Sequence, residues 1–154
     1  MRPFLLLAAL FLPFAGGCDD EAVHRAIVET KSGAAHSFSV ELALTPDEQR
    51  QGLMFRQALA EDAGMLFFFL ECTPAAFWMK NTYLPLDMIF VAADGRIVRI
   101  VRMTKPETLG IHKSGEPVNG VFEVNGVLTQ RLGIEKGDLF RHPWFGEGGR
   151  ATCG

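Results

Sequence analysis

The sequence lacks most of the features that announce a reaction. It has no Cys-x-x-Cys pair, and its four histidines, His24, His36, His112 and His142, are scattered. That pattern excludes a compact zinc set, because metal ligands come at short, repeated spacings. No glycine-rich phosphate loop is present, and no Ser-His-Asp constellation shows in the spacing. These absences weigh against an enzyme, and neither a metal nor a cofactor is expected. Basic residues are too few and too dispersed to form a tract: 15 Lys and Arg stand against 18 Asp and Glu, a net charge of -3. Duplex nucleic acid, held through counterion release at clustered cations, is therefore not an expected partner. Tyrosine occurs once against 13 phenylalanines, so the aromatic residues read as core builders rather than as an adaptable binding surface. No internal repeat or second domain boundary is visible, and 154 residues suit one domain.

What is present begins with a leader. Arg2 precedes an apolar run from Phe4 to Phe14, and a cluster of small residues follows. The run is too short to span a bilayer, so residues 1–17 are expected to be a secretory signal. Ala15-Gly16-Gly17-Cys18 resembles a bacterial lipobox, with Ala15 where Leu is usual. Lipidation at Cys18 would tie the chain to a membrane through residues 18–25, and several acyl chains anchor firmly. The protein is thus expected to be exported and held in the cell envelope. Two thiols remain, Cys72 and Cys153. In an oxidising compartment they are a candidate disulfide that ties the tail to the chain after Phe67-Phe68-Phe69. The competing reading leaves Cys153, one residue from the end, unpaired.

The domain proper is expected over residues 26–142. Ala26–Thr30 reads as a strand. In His36–Leu44, Phe38, Val40, Leu42 and Leu44 alternate with smaller or polar residues, a strand with one buried face. Thr45-Pro46-Asp47-Glu48 is a capping box with proline at the first helical position, and a short helix should run to about Met54. Met65–Leu70 is apolar on both faces and reads as a central strand. Pro74–Ala76 breaks the pattern, and Phe77–Tyr83 is expected to be extended. Asp94-Gly95 predicts a type I′ hairpin. With a two-residue loop, partner numbers sum to 189, which sets Phe90 opposite Arg99 and Asp87 opposite Arg102. Residues 104–117 are expected to form a loop, followed by a strand over 118–124. A helix should run over Val127–Leu132 to Gly133, and a last strand over Leu139–His142. The tail, residues 143–154, is expected to be irregular, with Trp144 and Phe145 either docked on the domain or open to a partner. Many short strands with tight turns predict a mainly β (α+β) fold, a compact barrel-like mixed sheet with two short helices. Closure would remove the edges that such apolar strands otherwise expose.

Several stretches, taken in order, resemble the successive motifs of the DUF192 (UPF0127) family. These are Gln51-Gly52-Leu53-Met54-Phe55-Arg56, Gly64-Met65-Leu66-Phe67, Phe77-Trp78-Met79-Lys80-Asn81-Thr82 and Pro85-Leu86-Asp87-Met88-Ile89-Phe90. Glu123-Val124-Asn125-Gly126 and Gly133-Ile134-Glu135-Lys136-Gly137-Asp138 are similar to that family's C-terminal half. The resemblance implies a small β-rich domain, often secreted or lipid-anchored in bacteria. It carries no catalytic residues with it. Gly126-Val127 departs from the family's usual entry to the C-terminal helix, a matter of packing.

The densest polar group set among apolar residues is Lys80, Asn81 and Asp87, and buried polar groups need partners. In a functional reading they line a pocket with Phe77, Trp78 and Met79. Lys80 would meet an anion or a sugar hydroxyl, and Asn81 and Asp87 would orient the ligand. In a structural reading Asp87 pairs with Arg102 across the hairpin and Asn81 serves the bend before Pro85. Arg56 is a further candidate for a ligand carboxylate or phosphate, against a helix-end or surface ion pair. His112 reads as an exposed loop residue, Asn125 as turn chemistry and Asp138 as a turn or strand-entry residue. The favoured expectation is a noncatalytic envelope module that binds a small polar ligand, a glycan or an envelope protein through Trp78, Lys80 and Asn81. The alternatives are a hydrolase on a cell-envelope substrate, with Asp87 or His112 as acid or base, and a purely structural accessory lipoprotein.

Overall fold

Seven strands and two short helices build the domain, seen in a computed structural model that describes residues 24–153. The expected leader over residues 1–17 and the lipidation at Cys18 lie outside the described residues. The strands are β1 (Arg25–Glu29), β2 (Ala35–Ala43), β3 (Ala63–Phe77), β4 (Leu86–Val91), β5 (Ile97–Val101), β6 (His112–Asn125) and β7 (Leu139–Arg141). Helix α1 (Pro46–Gln51) follows β2, and α2 (Leu128–Arg131) follows β6. The spatial order is β5-β4-β6-β3-β2-β1-β7. Pairing is antiparallel except between β2 and β3, so the sheet is mixed.

The two outer strands of that order meet. Arg96 bridges Leu139, and the amide of Ile97 donates to the Asp138 carbonyl at 2.9 Å. The sheet is therefore a nearly closed barrel, and its two faces carry different cores. All seven strands feed the interior, with Val28, Phe38, Leu66, Ile89, Ile97, Phe122 and Phe140 fully or almost fully buried. The outer face is covered where β3, β4 and β6, with Ala43 of β2 and Val98 of β5, lie beneath α1 and the adjoining loops. There Leu53, Phe67, Met79, Met88, Phe90 and Val121 form a second core. Alternation along β6 assigns the faces: Phe122 and Val124 point inward, while Val121 and Glu123 point outward. Gly64 permits this, since a Cβ there would lie only 2.7 Å from the Glu123 carbonyl oxygen.

The capping box forms as the sequence predicts: the Glu48 amide donates to Thr45 Oγ1, and the Glu48 carboxyl accepts from the Thr45 amide at 2.9 Å. The amides of Thr45 and Leu44 hold that exposed carboxyl below the ordinary glutamate range. The helix is shorter than expected, because Gly52 at φ +47° ends it after Gln51.

The hairpin departs from type I′. Register partners sum to 189 over Met88/Val101, Ile89/Ile100 and Phe90/Arg99, then shift at Val91/Ile97. The amide of Gly95 donates to the Ala92 carbonyl, and Gly95 alone takes a positive φ, +85°, which is a three-residue loop with a glycine bulge. Asp94 accepts from the Arg96 amide instead of adopting φ > 0.

Pro74 does not end its strand. β3 runs on to Phe77 with irregular register either side of Thr73 and Pro74, and Pro74 lies opposite Pro117, where neither residue has an N–H to lose. Phe77–Tyr83 is not extended beyond Phe77. The amide of Thr82 donates back to the Met79 carbonyl, and Asn81 takes φ +52°, a conformation asparagine tolerates. β6 starts at His112, inside the stretch expected to be a loop, because the bulged end of β3 supplies it with pairing partners. The tail keeps its turns but docks: Trp144 and Phe145 are buried in the barrel core, and Thr152 bridges Glu71. Cys72 and Cys153 pair as a disulfide with Cα atoms 5.0 Å apart. Asn119, fully buried on β6, donates to the carbonyls of Phe69, Leu70 and Thr152 beside it.

Candidate functional site

A cleft of about 780 Å³ opens between α1, the distal half of β3 and the turn over residues 78–82. Each wall has a local cause. The capping box and Gly52 limit α1 to six residues, so it covers only part of the outer face. The register of β3 against β6 breaks between Phe68 and Thr73 and again between Pro74 and Ala76, and such bulges bend a strand. The turn is held to its neighbours by backbone bonds: Met79 N–H to Thr108 carbonyl, Glu107 N–H to Thr82 carbonyl, and Phe55 N–H to Asn81 carbonyl at 2.8 Å. The lining is largely aromatic, with Phe67, Phe69, Phe77 and Trp78, and Phe67 meets Phe77 edge to face at 4.9 Å.

Three ionisable side chains line the cleft: Arg50, Lys80 and Glu123. Arg50 and Lys80 are exposed; Arg50 pairs with Asp47, and Lys80 Nζ stands 5.3 Å from the centroid of Trp78. Glu123 differs from both. It is 4% exposed, and no hydrogen bond or ion pair with a described residue reaches its carboxyl. Its neighbours across the sheet are Met65 on β3 and Met88 on β4. Burial with no compensating partner pushes this carboxyl up to about 8, so at neutral pH it is mostly a neutral acid. Glutamate is almost never buried unless paired, which makes this one a site candidate on physical grounds.

The residues singled out from the sequence do not form one group. Trp78 (46% exposed), Lys80 and Asn81 line the cleft, with Asn81 Nδ2 lying 3.9 Å from Met54 Sδ. Asp87 does not join them, because it points into the barrel from the opposite face of the sheet. Nor does it pair with Arg102. Its carboxyl accepts from the amides of Met103, Val127 and Thr129 and from Thr129 Oγ1, at 2.6–3.2 Å. Val127 opens α2 with φ +72° and has no side chain to cap it, so Asp87 caps that helix from a neighbouring strand. Arg102 instead donates to Thr129 Oγ1 and the Ile134 carbonyl and pairs with Glu135.

Arg56 lies outside the cleft lining and grips Glu41 with two bonds of 2.6 Å. That guanidinium holds the Glu41 carboxyl below its ordinary range. His112 is half-buried in β6 opposite Phe77, and its Nε2 is buried without a hydrogen-bond partner among the described residues. It too is outside the lining. Asn125 ties the chain before β3 in place by donating to the carbonyls of Leu59 and Ala60, and Asp138 accepts from the amides of Lys31 and Glu135. Glu123 was the residue that sequence reasoning passed over. The signal was present: a single charge inside the apolar run Val121-Phe122-Glu123-Val124.

Among curated proteins no relative matches this chain. Two solved structures resemble it over most of its length. One, from Sinorhizobium meliloti 1021 and described as a candidate transcription regulator, is 47% identical, covers 77% of this chain and 92% of its own, and superposes with a TM-score of 0.75. Another, a protein of unknown function from Novosphingobium aromaticivorans DSM 12444, is 41% identical, covers 76% of this chain and 83% of its own, and has a TM-score of 0.73. The DUF192 family model, described as an uncharacterized ACR, matches residues 27–142, from within β1 to just past β7. With the model spanning nearly every strand of the barrel and both helices, the chain belongs to the DUF192 family.

Proposed function

We propose that this protein is a noncatalytic binding module that takes a small ligand in the cleft between α1 and the turn over residues 78–82. One observation carries the reading: a cleft of about 780 Å³, walled by aromatic side chains, contains the carboxyl of a buried glutamate that no described residue hydrogen-bonds or ion-pairs. Ligand sites are typically concave, mostly apolar and equipped with a few polar groups, and 300–1,000 Å³ is roughly their usual range. A buried acid that no described residue satisfies costs stability, and a ligand that satisfies it recovers that cost. Trp78, Lys80 and Asn81 would contact the ligand at the mouth and Glu123 at depth.

The proposal places the module in the cell envelope, exported by residues 1–17 and anchored at Cys18. A disulfide between Cys72 and Cys153 fits an oxidising compartment. The regulator description of the Sinorhizobium protein is not adopted for this chain, since a net charge of -3 without a basic tract offers DNA no electrostatic footprint. Hydrolysis is the weaker reading. Glu123, as a neutral acid, has the character of a proton donor. Glycoside hydrolysis, however, calls for two carboxyl groups flanking one bond, and Glu123 is the one acid in the lining.

A thermal-shift screen of sugars, peptidoglycan fragments, amino acids and amines against wild type, Glu123→Gln and Trp78→Ala tests the proposal. A ligand that binds the native state raises its melting temperature. The expected result is a shift in wild type that shrinks in both variants. A shift of equal size in all three would place the ligand elsewhere.

A further inference from the structure

We infer that the cleft takes an organic cation, a primary or methylated ammonium on an apolar stem, with Glu123 as its counter-ion and the Phe67, Phe77 and Trp78 rings as its walls. The inference rests on the proposed reading of the cleft as a ligand site and names the chemistry of what enters it.

The site is specific in what it lacks. A hard metal ion is held best by several carboxylates among its oxygen ligands; Glu123 is the single carboxyl of the described lining, and no group of three or more His, Cys, Asp or Glu comes together among the described residues. An inorganic anion brings no apolar surface to set against the aromatic walls, and it is repelled by Glu123 once that carboxyl ionises. What the site is missing is a positive group that brings its own apolar flanks. Aromatic faces attract such groups through the ring quadrupole, and the attraction strengthens where water is excluded. The protein displays the same chemistry at the cleft mouth, where the Lys80 ammonium rests 5.3 Å from the Trp78 ring.

No described residue already supplies the missing charge. Across the sheet, Glu123 is flanked by Met65 on β3 and Met88 on β4. The next residue in that row is Glu41 on β2, beyond Met65, and Arg56 holds it. From α1, Arg50 is paired with Asp47, and the Glu48 carboxyl is bound to the amides of Leu44 and Thr45. From the turn, Lys80 is exposed on Trp78. These peripheral charges sit in water and are screened at physiological ionic strength, whereas a charge beside Glu123 would not be.

Binding is then coupled to a proton. Below pH 8 the Glu123 carboxyl carries its proton, because burial has raised it to about 8. The entering ammonium keeps all its own protons, the carboxyl O–H bond breaks, and one proton leaves to solvent as the ion pair forms. Affinity should therefore rise about tenfold per pH unit from 6 to near 8 and level off above.

Isothermal titration calorimetry on the full-length protein tests this with three probes of similar shape: phenethylammonium, phenethyl alcohol and 3-phenylpropionate. Titrations run from pH 6 to 8.5, in two buffers of different ionisation enthalpy at each pH. The expected result is preferential binding of phenethylammonium, with the pH slope just given and close to one proton released at pH 6. Glu123→Gln, checked for folding by circular dichroism, should weaken that binding at least tenfold at pH 8.5 and remove the slope. If the alcohol or the carboxylate binds as tightly as the ammonium at pH 8.5, or Glu123→Gln keeps its affinity, the cation inference is overturned while the ligand-site reading stands. If no probe of any charge binds and the wider screen yields no shift, both are overturned.

Discussion

Asp87 and Glu123 lie on neighbouring strands, offset by a single residue in register, since Asp87 faces Val124 across the β4–β6 ladder. Both are withdrawn from water. The one-residue offset sends their side chains to opposite faces of the sheet. Inside the barrel, Asp87 meets four donors, three of them backbone amides: Met103 after β5, and Val127 and Thr129 at the start of α2, which it caps. On the outer face, Glu123 meets methionine, aromatic rings and an opening. A buried acid surrounded by donors organises the chain, whereas one without donors among the described residues makes the fold less stable. Burial, which the two share, does not separate them; the number of donors around each carboxyl does.

Substitutions can break or sharpen that contrast. The largest effect is expected at Asp87→Ala, which strands the amides of Met103, Val127 and Thr129. Urea unfolding should show a loss of about 3–5 kcal/mol. A loss under about 1 kcal/mol would mean that water replaces the carboxyl and that the two acids are less different than their geometry indicates.

Next comes Glu123→Gln, with the opposite sign. The folded-state value of Glu123, about 8, lies above its unfolded value near 4.5, so the folded state holds the proton more tightly. Wild-type stability is therefore greatest below about pH 4.5 as far as this group is concerned, falls as pH rises toward 8, and is flat beyond. Removing the ionisation removes the fall. At pH 8.5 the variant should melt roughly 5–10 °C above wild type, on the order of a few kcal/mol, and near wild type at pH 5. Melting curves in which the two proteins differ equally at both pH values would show that Glu123 does not titrate in this window.

A smaller effect is expected at Thr129→Val, which deletes one of Asp87's four donors and the acceptor of Arg102 Nε while preserving shape. A cost of about 1–2 kcal/mol by urea unfolding fits one lost bond to a buried acid. The smallest is Arg56→Met. Glu41 and Arg56 are partly exposed, so the pair should contribute under about 1 kcal/mol despite its two short bonds. Its pH signature runs opposite to that of Glu123. The depressed Glu41 carboxyl stabilises the fold above its unfolded value, and that contribution fades as pH falls through its lowered folded value. NMR titration of Glu41 in the variant should show the carboxyl returning toward the ordinary glutamate range.

Local chemistry was legible in the chain. Thr45-Pro46-Asp47-Glu48 forms its capping box because every atom involved lies within four residues. The alternation of Phe38, Val40 and Leu42 places one face inward, and Asp94-Gly95 makes a hairpin, although the glycine bulge replaced the expected turn. Phe77-Trp78-Met79-Lys80-Asn81 misled, because alternation of large and polar residues is equally satisfied by a turn whose backbone bonds go to Thr108, Glu107 and Phe55. Those partners lie more than twenty residues away along the chain, beyond the reach of any periodicity.

Composition and order of residues alone determined a mainly β domain with two short helices, the first helix start and a central strand apolar on both sides. Only the tertiary structure decided that Asp87 would be saturated and Glu123 left wanting. Side-chain direction alternates along a strand, but which face meets helix amides and which meets a cleft depends on where α1, α2 and the turn over residues 78–82 come to rest. Solvation of a charge depends on everything within a few ångströms in space, and adjacency in sequence carries almost none of that information.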